Sequence, residues 1–503
     1  MKRAEKKTRL ILCVTALAVI MNLHAGELLI GTAETDITPE LPVALRGQFH
    51  LRLADTVESP LTANVIALES RTSDLLQDMA IMVSCDLVAI PTVYVKGVRA
   101  EVQNQLPDID VNKIFINATH THTAPVLVND PKLQYPIPKE GVLQPDTYQK
   151  FFVQQVSDAI LRAWEKRTPG SVTWGLGHAS VAQNRRLVFS TRATDPGFAL
   201  NGKAQMYGTP KTPDFRNIEG MAEDDVNTLF FWDRQERIIA MAIAVPCPAQ
   251  EVESRRAINA DYWHPVRDML KHKYGEGLCV VGWIGAAGDQ SPHLMYRRAA
   301  EERMRELRNL TRLEEIARRI VLAVEETYET VKNERQTDVQ LIHKVEILEL
   351  PEYKISERES RFAKAESEKY AAMIEADPGE AKNVARRRAW NADVVRRYEV
   401  QQKGPLPLIE TEVHILRIGD IVVCTNPYEL FTDYGIRMQA RSKALQTFII
   451  QLTGAGYYLP TSEAVEGGGY SAIPASCPVG PEGGQILVEK TVKLIDELFV
   501  GEE

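Results

Sequence analysis

The sequence predicts a mixed α/β fold in which a layered sheet is covered by helices. Short apolar runs rich in β-branched and aromatic residues recur along the 503-residue chain, as is typical of buried strands. Between many of them lie longer segments with helical periodicity, and this mixture indicates helices packed on a sheet. Strands are predicted at 28–31, 64–68, 79–84, 114–116, 172–174, 238–245, 278–283, 412–416, 421–424 and 447–452. Helices are predicted at 93–105, 147–166, 263–272, 301–332, 429–444 and 485–498.

Residues 1–25 are predicted to be a secretory signal. A basic start is followed by the apolar run 10–21 and by Leu23-His24-Ala25, a suitable cleavage site. We therefore expect a secreted or periplasmic protein whose folded part is 26–503, with an uncleaved anchor as the alternative. The apolar run is too short to span a membrane comfortably, and no later stretch is long and apolar enough to do so.

The composition is that of a large globular domain, with 44% hydrophobic and 25% charged residues. A net charge of -9 excludes a basic face for nucleic acid or anionic lipid. Five cysteines remain after processing, and their scattered positions indicate no disulfide framework. The sequence does not indicate an oligomeric state.

Residues 355–403 differ in character from the rest of the chain. They are strongly charged and favour helix, and Asp377-Pro378-Gly379 interrupts them with turn chemistry. We predict an inserted hairpin of two antiparallel helices that acts as a solvated prop or as a wall over a cleft. The prop is favoured because charged runs usually face water.

The pair His120-x-His122 follows the apolar run 114–116, where a strand gives way to a loop. Strand ends hold side chains rigidly while the adjoining loop leaves them accessible, so chemistry is often located there. Two histidines at this spacing point the same way on extended backbone. They are interpreted as a metal ligand with a second ligand or proton-transfer group, or else as histidines bonded into loop structure.

Further candidates follow other predicted strands. Ser291 lies on a Gly-rich turn and is either reactive or a capping serine, while Cys247, between two prolines, is either a zinc-binding thiolate or a packed thiol. Glu429 at a strand-to-helix junction suits a metal or the helix dipole. Tyr458 and Tyr470 lie in a Gly-rich loop, where they could pack over the sheet edge.

As a set, these segments resemble the neutral/alkaline ceramidase family. The resemblance runs from about Gly31 to the C-terminus, and its motifs are fairly specific together but not separately. The motifs, in family order, are GTAETDITP (31–39), ATHTHTAP (118–125), AQNRR (182–186), GDQSP (288–292), NPYELFTDYG (426–435) and YYLPTSEAVEGGGYSA (457–472).

The resemblance implies a zinc site. His120, Glu429 and Tyr458 correspond to a histidine, a carboxylate and a tyrosine ligand. Where the family has a second zinc histidine before a proline, this chain has Cys247, which we predict to be the fourth ligand. Zinc accepts thiolate, but the added negative charge should weaken its Lewis acidity.

The resemblance also implies catalytic residues. His122 matches a histidine that positions or moves protons, Arg185 and Tyr470 match groups that polarise the scissile carbonyl, and Ser291 matches the active-site serine. We favour zinc-activated water over Ser291 as nucleophile, because no Ser-His-Asp motif is visible to activate a serine.

The predicted function is therefore a secreted zinc hydrolase acting on a small N-acyl substrate, with ceramide the family default. The charged hairpin predicts a substrate more polar than ceramide. We also expect the family's C-terminal immunoglobulin-like domain to be missing from this protein. Hydrolysis of another amide or ester, such as an N-acylated sugar or peptide, is the second interpretation. A secreted binding protein without catalysis is the third.

Overall fold

The computed structural model describes residues 26–72, 75–130, 135–191 and 202–500, so the predicted signal sequence lies outside the described residues. The strands are β1 Gly26–Asp36, β2 Val43–Leu45, β3 Arg52–Ala54, β4 Thr62–Thr72, β5 Leu75–Cys85, β6 Ile114–Ala118, β7 Thr168–His178, β8 Gln183–Asn184, β9 Arg186–Phe189, β10 Ala204–Met206, β11 Phe215–Ile218, β12 Asp225–Asp233, β13 Ile238–Val245, β14 Cys279–Ile284, β15 Gln290–Ser291, β16 Asp338–Val339, β17 Leu341–Pro351, β18 Leu408–Ile418, β19 Ile421–Thr425, β20 Glu429–Leu430, β21 Gln446–Ile450 and β22 Tyr458–Leu459. The helices are α1 Thr92–Gln105, α2 Pro145–Glu165, α3 Trp263–Tyr274, α4 Arg298–Leu307, α5 Arg312–Val331, α6 Glu357–Ala376, α7 Ala381–Gln401, α8 Thr432–Arg441, α9 Ser462–Gly467 and α10 Pro481–Leu498. Two 3-10 turns lie at Val111–Lys113 and Pro378–Glu380.

The larger sheet has the strand order β14-β13-β12-β7-β1-β4-β5-β6, with β16 also paired to β1. Its β5–β6 and β13–β14 pairs are parallel and its other pairs antiparallel. The sheet bends until β14 contacts β4 and β5, and the Asn117 side chain donates a hydrogen bond to the Gly282 carbonyl at 3.2 Å. This bend brings the carboxyl ends of β6 and β14 to one side of the molecule.

A second sheet, β17-β18-β19-β21, packs its inner face on the larger one. The shared interior includes Leu68 and Val281 from the larger sheet and Leu416, Val423 and Phe448 from the smaller. Side chains on alternate strand positions share a face, so the apolar runs of both sheets supply this interior.

Helices cover the outer faces, in agreement with the predicted mixed α/β architecture. Helices α1 and α2 pack outside β4–β6, and α3 and α5 pack outside β12–β14. Helices α8 and α10 pack against the smaller sheet. One predicted helix, 301–332, is divided into α4 and α5, because Thr311 and Glu314 form a capping box that starts a new helix.

The hairpin α6–α7 lies where it is predicted, but it is a wall against the body of the protein rather than a solvated prop. Trp390 and Val394, four residues apart on α7, are buried. Arg386 donates to the Gln48 carbonyl at 2.9 Å, and Arg397 donates to the Pro474 carbonyl at 2.7 Å. The charged face is solvated as expected, while the narrow apolar face carries the packing.

Among the described helices, none is both long enough and apolar enough to cross a membrane.

Candidate active site

The candidate site forms where the two sheets end side by side. His120 follows β6, Ser291 follows β14, Glu429 follows β19 and Tyr458 follows β21. In sheets with parallel pairs, the carboxyl ends of the strands are the usual place for ligand-binding side chains. The bend of the larger sheet and the packing of the smaller sheet against it therefore bring together residues that are more than 300 positions apart in the sequence.

His120 is fixed by its backbone and by one ring nitrogen. Its φ is +68°, in the left-handed region, and its amide donates to the Leu87 carbonyl at 2.8 Å. Its Nδ1 lies 2.7 Å from the Val88 carbonyl oxygen, which can only accept, so Nδ1 carries the proton. In a neutral His120 the Nε2 atom then carries a lone pair and no proton. Burial lowers the pKa of His120 and favours this neutral form.

Glu429 and Tyr458 are neighbours because β20 and β22 pair in parallel with these two residues in register. Glu429 Oε2 lies 3.4 Å from His120 Nε2. Burial raises the pKa of the Tyr458 phenol well above its ordinary value, and the neighbouring Glu429 carboxylate adds to this rise. An imidazole lone pair, a carboxylate and a phenol thus converge.

Arg185 supplies a positive charge beside this group. Its Nη2 donates to the Tyr458 hydroxyl at 3.0 Å and to the Gly288 carbonyl at 2.8 Å, and it lies 3.9 Å from Glu429 Oε2. The guanidinium is buried, and at every accessible pH it stays charged. It is therefore positioned to stabilise negative charge on a bound group.

Tyr470 lies between Tyr458 and the hairpin. Its ring meets the Tyr458 ring edge-on at 5.4 Å and stacks on Trp390 at 6.3 Å, with Phe49 edge-on at 5.4 Å. Burial raises the pKa of Tyr470 to about 12, so its hydroxyl is a proton donor near neutral pH. The loop that carries Tyr470 is held by Arg186, which donates to the Tyr470 and Gly468 carbonyls at 2.9 and 2.7 Å.

Ser291 lies in β15, paired in register with Gln183. Its Oγ is 3.2 Å from the Tyr207 hydroxyl and 3.1 Å from the backbone nitrogen of His293. Asp289 accepts from the Thr432 hydroxyl at 2.7 Å and from Asn184 at 2.7 Å. Asp289 therefore fixes the loop, and no histidine side chain among the described residues forms a hydrogen bond with Ser291.

His122 has its own carboxylate partner. Its Nδ1 lies 2.8 Å from Glu253 Oε2, and its Nε2 faces His120 Nε2 at 3.2 Å. Burial lowers the pKa of His122 to about 4 against the opposing effect of Glu253. Burial would raise the pKa of Glu253, yet its interaction with His122 holds that pKa down at about 2. We take His122 as neutral and Glu253 as ionised near pH 7.

The backbone around His122 is clamped from both sides. Arg52 donates to the His122 carbonyl at 2.6 Å and to the Glu253 carbonyl at 2.7 Å, and so ties the two loops together. Gly47, at φ +110°, faces the other side, where an added Cβ would lie 2.5 Å from the His122 ring. Glycine is required here by both the backbone angle and the ring.

Cys247 does not join this group, in contrast to the predicted fourth ligand. Its Sγ lies 3.8 Å from the Val181 and Pro248 carbonyl oxygens, in the core beneath α3 and α5. Burial raises the pKa of this thiol well above its ordinary value, so a thiol rather than a thiolate is favoured. The turn after β13 places Cys247 inward, whereas Gln250, three residues later, reaches Tyr207 at 2.7 Å.

Two of the remaining donor atoms have the spacing of zinc ligands. With zinc bonds of about 2.1 Å, the ligand atoms of a tetrahedral site lie about 3.4 Å apart, and the distance from His120 Nε2 to Glu429 Oε2 is 3.4 Å. Over the described parts of the chain, no three His, Cys, Asp or Glu side chains form a group that could hold a metal ion. A metal at this place therefore needs a different third ligand, and the Tyr458 phenol beside Glu429 is of the right kind.

The structure brings together six of the residues that the sequence predicts for the site: His120, His122, Arg185, Glu429, Tyr458 and Tyr470. Ser291 lies next to them, in contact with Tyr207. The sequence did not indicate four further residues of the site, Glu253, Tyr207, Gln250 and Arg52. For Glu253 and Gln250 a signal existed, since both lie in the polar stretch directly after the predicted strand 238–245. Tyr207 and Arg52 follow no recognisable motif, because only tertiary contacts bring them to the site.

Comparison with solved structures defines the class of fold. The chain aligns with neutral ceramidase from Pseudomonas aeruginosa at a TM-score of 0.64 and 16% sequence identity, covering 94% of this chain and 75% of that one. It aligns equally well with a ceramidase complexed with C2, at a TM-score of 0.64, 15% identity and the same coverage. The chain therefore adopts a neutral ceramidase-like fold, which confirms the predicted resemblance at the level of the fold. No protein-family model matches the chain, and no curated protein matches it.

Proposed function

We propose that the protein is a zinc-dependent hydrolase that cleaves the amide bond of an N-acylated small molecule. The observation that carries this proposal is the convergence of His120 Nε2, Glu429 and Tyr458, with the Arg185 guanidinium beside them. The neutral ceramidase-like fold supports it. Amide hydrolysis needs an activated water, stabilisation of an oxyanion and a proton for the leaving amine.

Zinc held by His120, Glu429 and Tyr458 would lower the pKa of a water from about 15.7 towards about 7 and so supply the nucleophile. Arg185 and the Tyr470 hydroxyl would hold the substrate carbonyl oxygen and its developing charge, an effect on the order of 3 kcal/mol for each well-placed donor. His122, oriented by Glu253, would accept a proton and return it to the leaving nitrogen. Ser291 would donate a hydrogen bond to the substrate rather than attack it.

The surroundings of Tyr470 support a substrate with both polar and apolar parts. A cavity of about 460 Å³ lies between the hairpin and residues 465–475, lined by Phe362, Val394 and Ile473 but also by Lys354 and Glu466. Trp390 and Phe49 pack on the Tyr470 ring beside this cavity, and Arg386 lies 4.9 Å above the Phe49 ring. We propose a substrate more polar than long-chain ceramide, such as a short-chain or sugar-linked amide.

The test combines metal analysis of the purified protein with a panel of substrates: long-chain ceramide, short-chain ceramide, an N-acylated sugar, an N-acyl peptide and the matching esters. We expect about one zinc per chain, loss of amide hydrolysis on chelation and its return with zinc. The kcat/KM values across the panel rank the substrates, and a strong preference for long-chain ceramide would reject the more polar class. A metal-free protein that is inert to the whole panel would favour a binding role.

Matched variants locate the metal. Tyr458→Phe and Glu429→Gln each remove a proposed ligand with little change of shape, and we expect each to lose zinc. Cys247→Ser is the control, because its thiol lies in the core away from these atoms. If Cys247→Ser lost zinc and the other two variants retained it, the proposed ligand set would be wrong.

A further inference from the structure

Tyr207 is joined to the candidate site by its backbone as well as by its side chain. It follows β10, and its amide donates to the Arg185 carbonyl at 2.9 Å. Its φ is +56°, a conformation that residues other than glycine adopt only when their surroundings hold them there. The chain therefore maintains an unfavourable backbone at a residue that contacts Arg185 and Ser291.

The hydroxyl of Tyr207 has three partners, and their chemistry fixes the direction of each hydrogen bond. Arg185 Nη1 at 3.1 Å and Gln250 Nε2 at 2.7 Å are both donors, so the Tyr207 oxygen accepts from them. Its own proton is then directed to Ser291 Oγ at 3.2 Å. Burial raises the pKa of Tyr207, which keeps this proton in place near neutral pH.

Ser291 Oγ also accepts from the His293 amide at 3.1 Å. A hydroxyl oxygen has two lone pairs and one proton. With both lone pairs occupied, Ser291 can offer a bound substrate only its proton. The same arrangement withholds the lone pair that a nucleophilic serine would use.

We propose that Tyr207 is a positioning residue that holds the Ser291 hydroxyl as a hydrogen-bond donor to the substrate. The inference rests on the proposed amide hydrolysis and assigns a role to a residue that no sequence motif marks. Tyr207 acts through Ser291, because accepting hydrogen bonds from Arg185 and Gln250 leaves its own proton for the Ser291 hydroxyl.

The test is Tyr207→Phe in the full chain, assayed with the best amide of the substrate panel. Phenylalanine keeps the ring, which lies 5.4 Å from the His293 ring, and removes only the hydroxyl. We expect kcat to fall about tenfold, the loss that corresponds to one neutral hydrogen bond, with KM and zinc content unchanged. Tyr148→Phe is the matched control, because it removes a buried hydroxyl that donates to the Ile37 carbonyl at 2.7 Å.

A double-mutant cycle separates positioning from general loosening of the site. In a Ser291→Ala background the Tyr207→Phe change should cost little, because its target is already gone. An equal loss in that background, or unchanged or increased kcat in the single variant, would overturn the proposal. A Ser291→Ala variant without any measurable activity would identify a nucleophilic serine and would also overturn it.

A wild-type protein inert to the whole panel contradicts the proposed function rather than the role of Tyr207. In that case crystal structures of wild type and Tyr207→Phe decide the matter. We expect Ser291 Oγ in the variant to occupy more than one rotamer, because only the His293 amide still holds it. An unchanged Ser291 rotamer would show that Tyr207 does not position it.

Discussion

Two linear arrays of polar side chains with the same make-up, here called chains, occur in this molecule, and only one of them lies at the candidate site. Each runs from a carboxylate through two histidines to a backbone carbonyl. At the site the members are Glu253, His122, His120 and the Val88 carbonyl, linked by distances of 2.8, 3.2 and 2.7 Å. A histidine pair with a carboxylate is therefore not by itself the mark of a functional site.

The second chain lies where β17 and β18 meet the larger sheet. Glu412 is 3.1 Å from His414, His414 is 3.0 Å from His343, and His343 is 3.1 Å from the Met79 carbonyl oxygen. The Phe115 ring packs against both imidazoles, at 5.3 and 6.4 Å. These histidines lie within regular strands and face an aromatic side chain.

Proton counting shows what the two chains share. Each chain has three hydrogen-bond contacts, and each contact needs one proton. Two neutral histidines carry only two ring N–H protons. Each chain therefore needs one further proton or another cation. This requirement does not distinguish the chains, so it is not evidence for a metal.

The two chains differ in the side chains that lie beside the contact between their two imidazole rings. At the site, His120 Nε2 also has Glu429 Oε2 at 3.4 Å, and Arg185 and Tyr458 lie next to that carboxylate. His120 is on a loop in the left-handed conformation, whereas the second pair is held in strand backbone. A second carboxylate and a phenol beside this contact favour metal binding and chemistry at the first chain and not at the second.

The strongest test of this comparison replaces one histidine of each chain with asparagine. His120→Asn should lower amide hydrolysis about a thousandfold or more and remove zinc, because it deletes a proposed ligand of the activating metal. His343→Asn should leave kcat and zinc content of the folded protein within about twofold. It should instead lower the free energy of unfolding by about 1–3 kcal/mol, the cost of leaving buried polar groups without a partner. Kinetics, metal analysis and denaturant unfolding of both variants give the answer, and equal effects of the two changes would remove the distinction.

A smaller effect is expected from the carboxylate of the first chain. Glu253→Gln should lower kcat about 10–100-fold while zinc is retained, since the carboxylate orients His122 and does not touch the proposed metal. Glu251→Gln is the control in the same loop, because the Glu251 side chain faces Arg312 at 3.5 Å instead. Loss of zinc in Glu253→Gln would mean that Glu253 is itself a ligand.

Gly47 tests how closely His122 is held. Gly47→Ala puts a Cβ against the His122 ring and forces alanine to a φ of +110°, so we expect reduced kcat together with destabilisation of about 2 kcal/mol. Gly275→Ala is a matched control, because Gly275 has a φ of +117° but open space around the added Cβ. It should show the backbone cost alone. Equal kcat in the two variants would mean that the contact with Gly47 does not position His122.

Much of the architecture could be predicted because it depends on local patterns. The apolar run at 238–245 is strand β13 with the same bounds, and the predicted helix 93–105 differs from α1 by one residue at its start. The candidate site was predictable where a side chain directly follows a strand end, as at His120 and Glu429. At such positions the strand direction alone determines where the residue lies.

The failures have a common physical cause, which is that side-chain direction in irregular backbone depends on tertiary contacts. Cys247 lies at a strand end as the predicted ligands do, yet its amide bonds back to the Val245 carbonyl in a tight turn and the thiol enters the core. The prediction that the hairpin is a solvated prop was wrong, because the many charged residues that suggested it lie on the outer face of the hairpin. The spacing of Trp390 and Val394 describes its inner face and could have indicated the packing.

The smallest expected effect concerns the second chain and the pH dependence of stability. Two partners, His414 and Arg99, hold the pKa of Glu412 down to about 2 against the opposing effect of burial. A carboxylate whose pKa is lower in the folded than in the unfolded state stabilises the fold above its unfolded pKa of about 4.3, and that contribution is lost as the pH falls towards 2. Because the Glu412 side chain is 37% exposed, water screens much of the interaction.

We therefore expect Glu412→Gln to lower Tm at pH 7 by only about one or two degrees. The difference from wild type should shrink when unfolding is compared at successively lower pH, from about 4.3 downwards. Glu410→Gln, an exposed position two residues earlier on the same strand, is the control and should show no such change. Neither substitution should alter kcat or zinc content. A kinetic defect in Glu412→Gln would mean that the second chain communicates with the site, and the two chains would then have to be regarded as one functional unit.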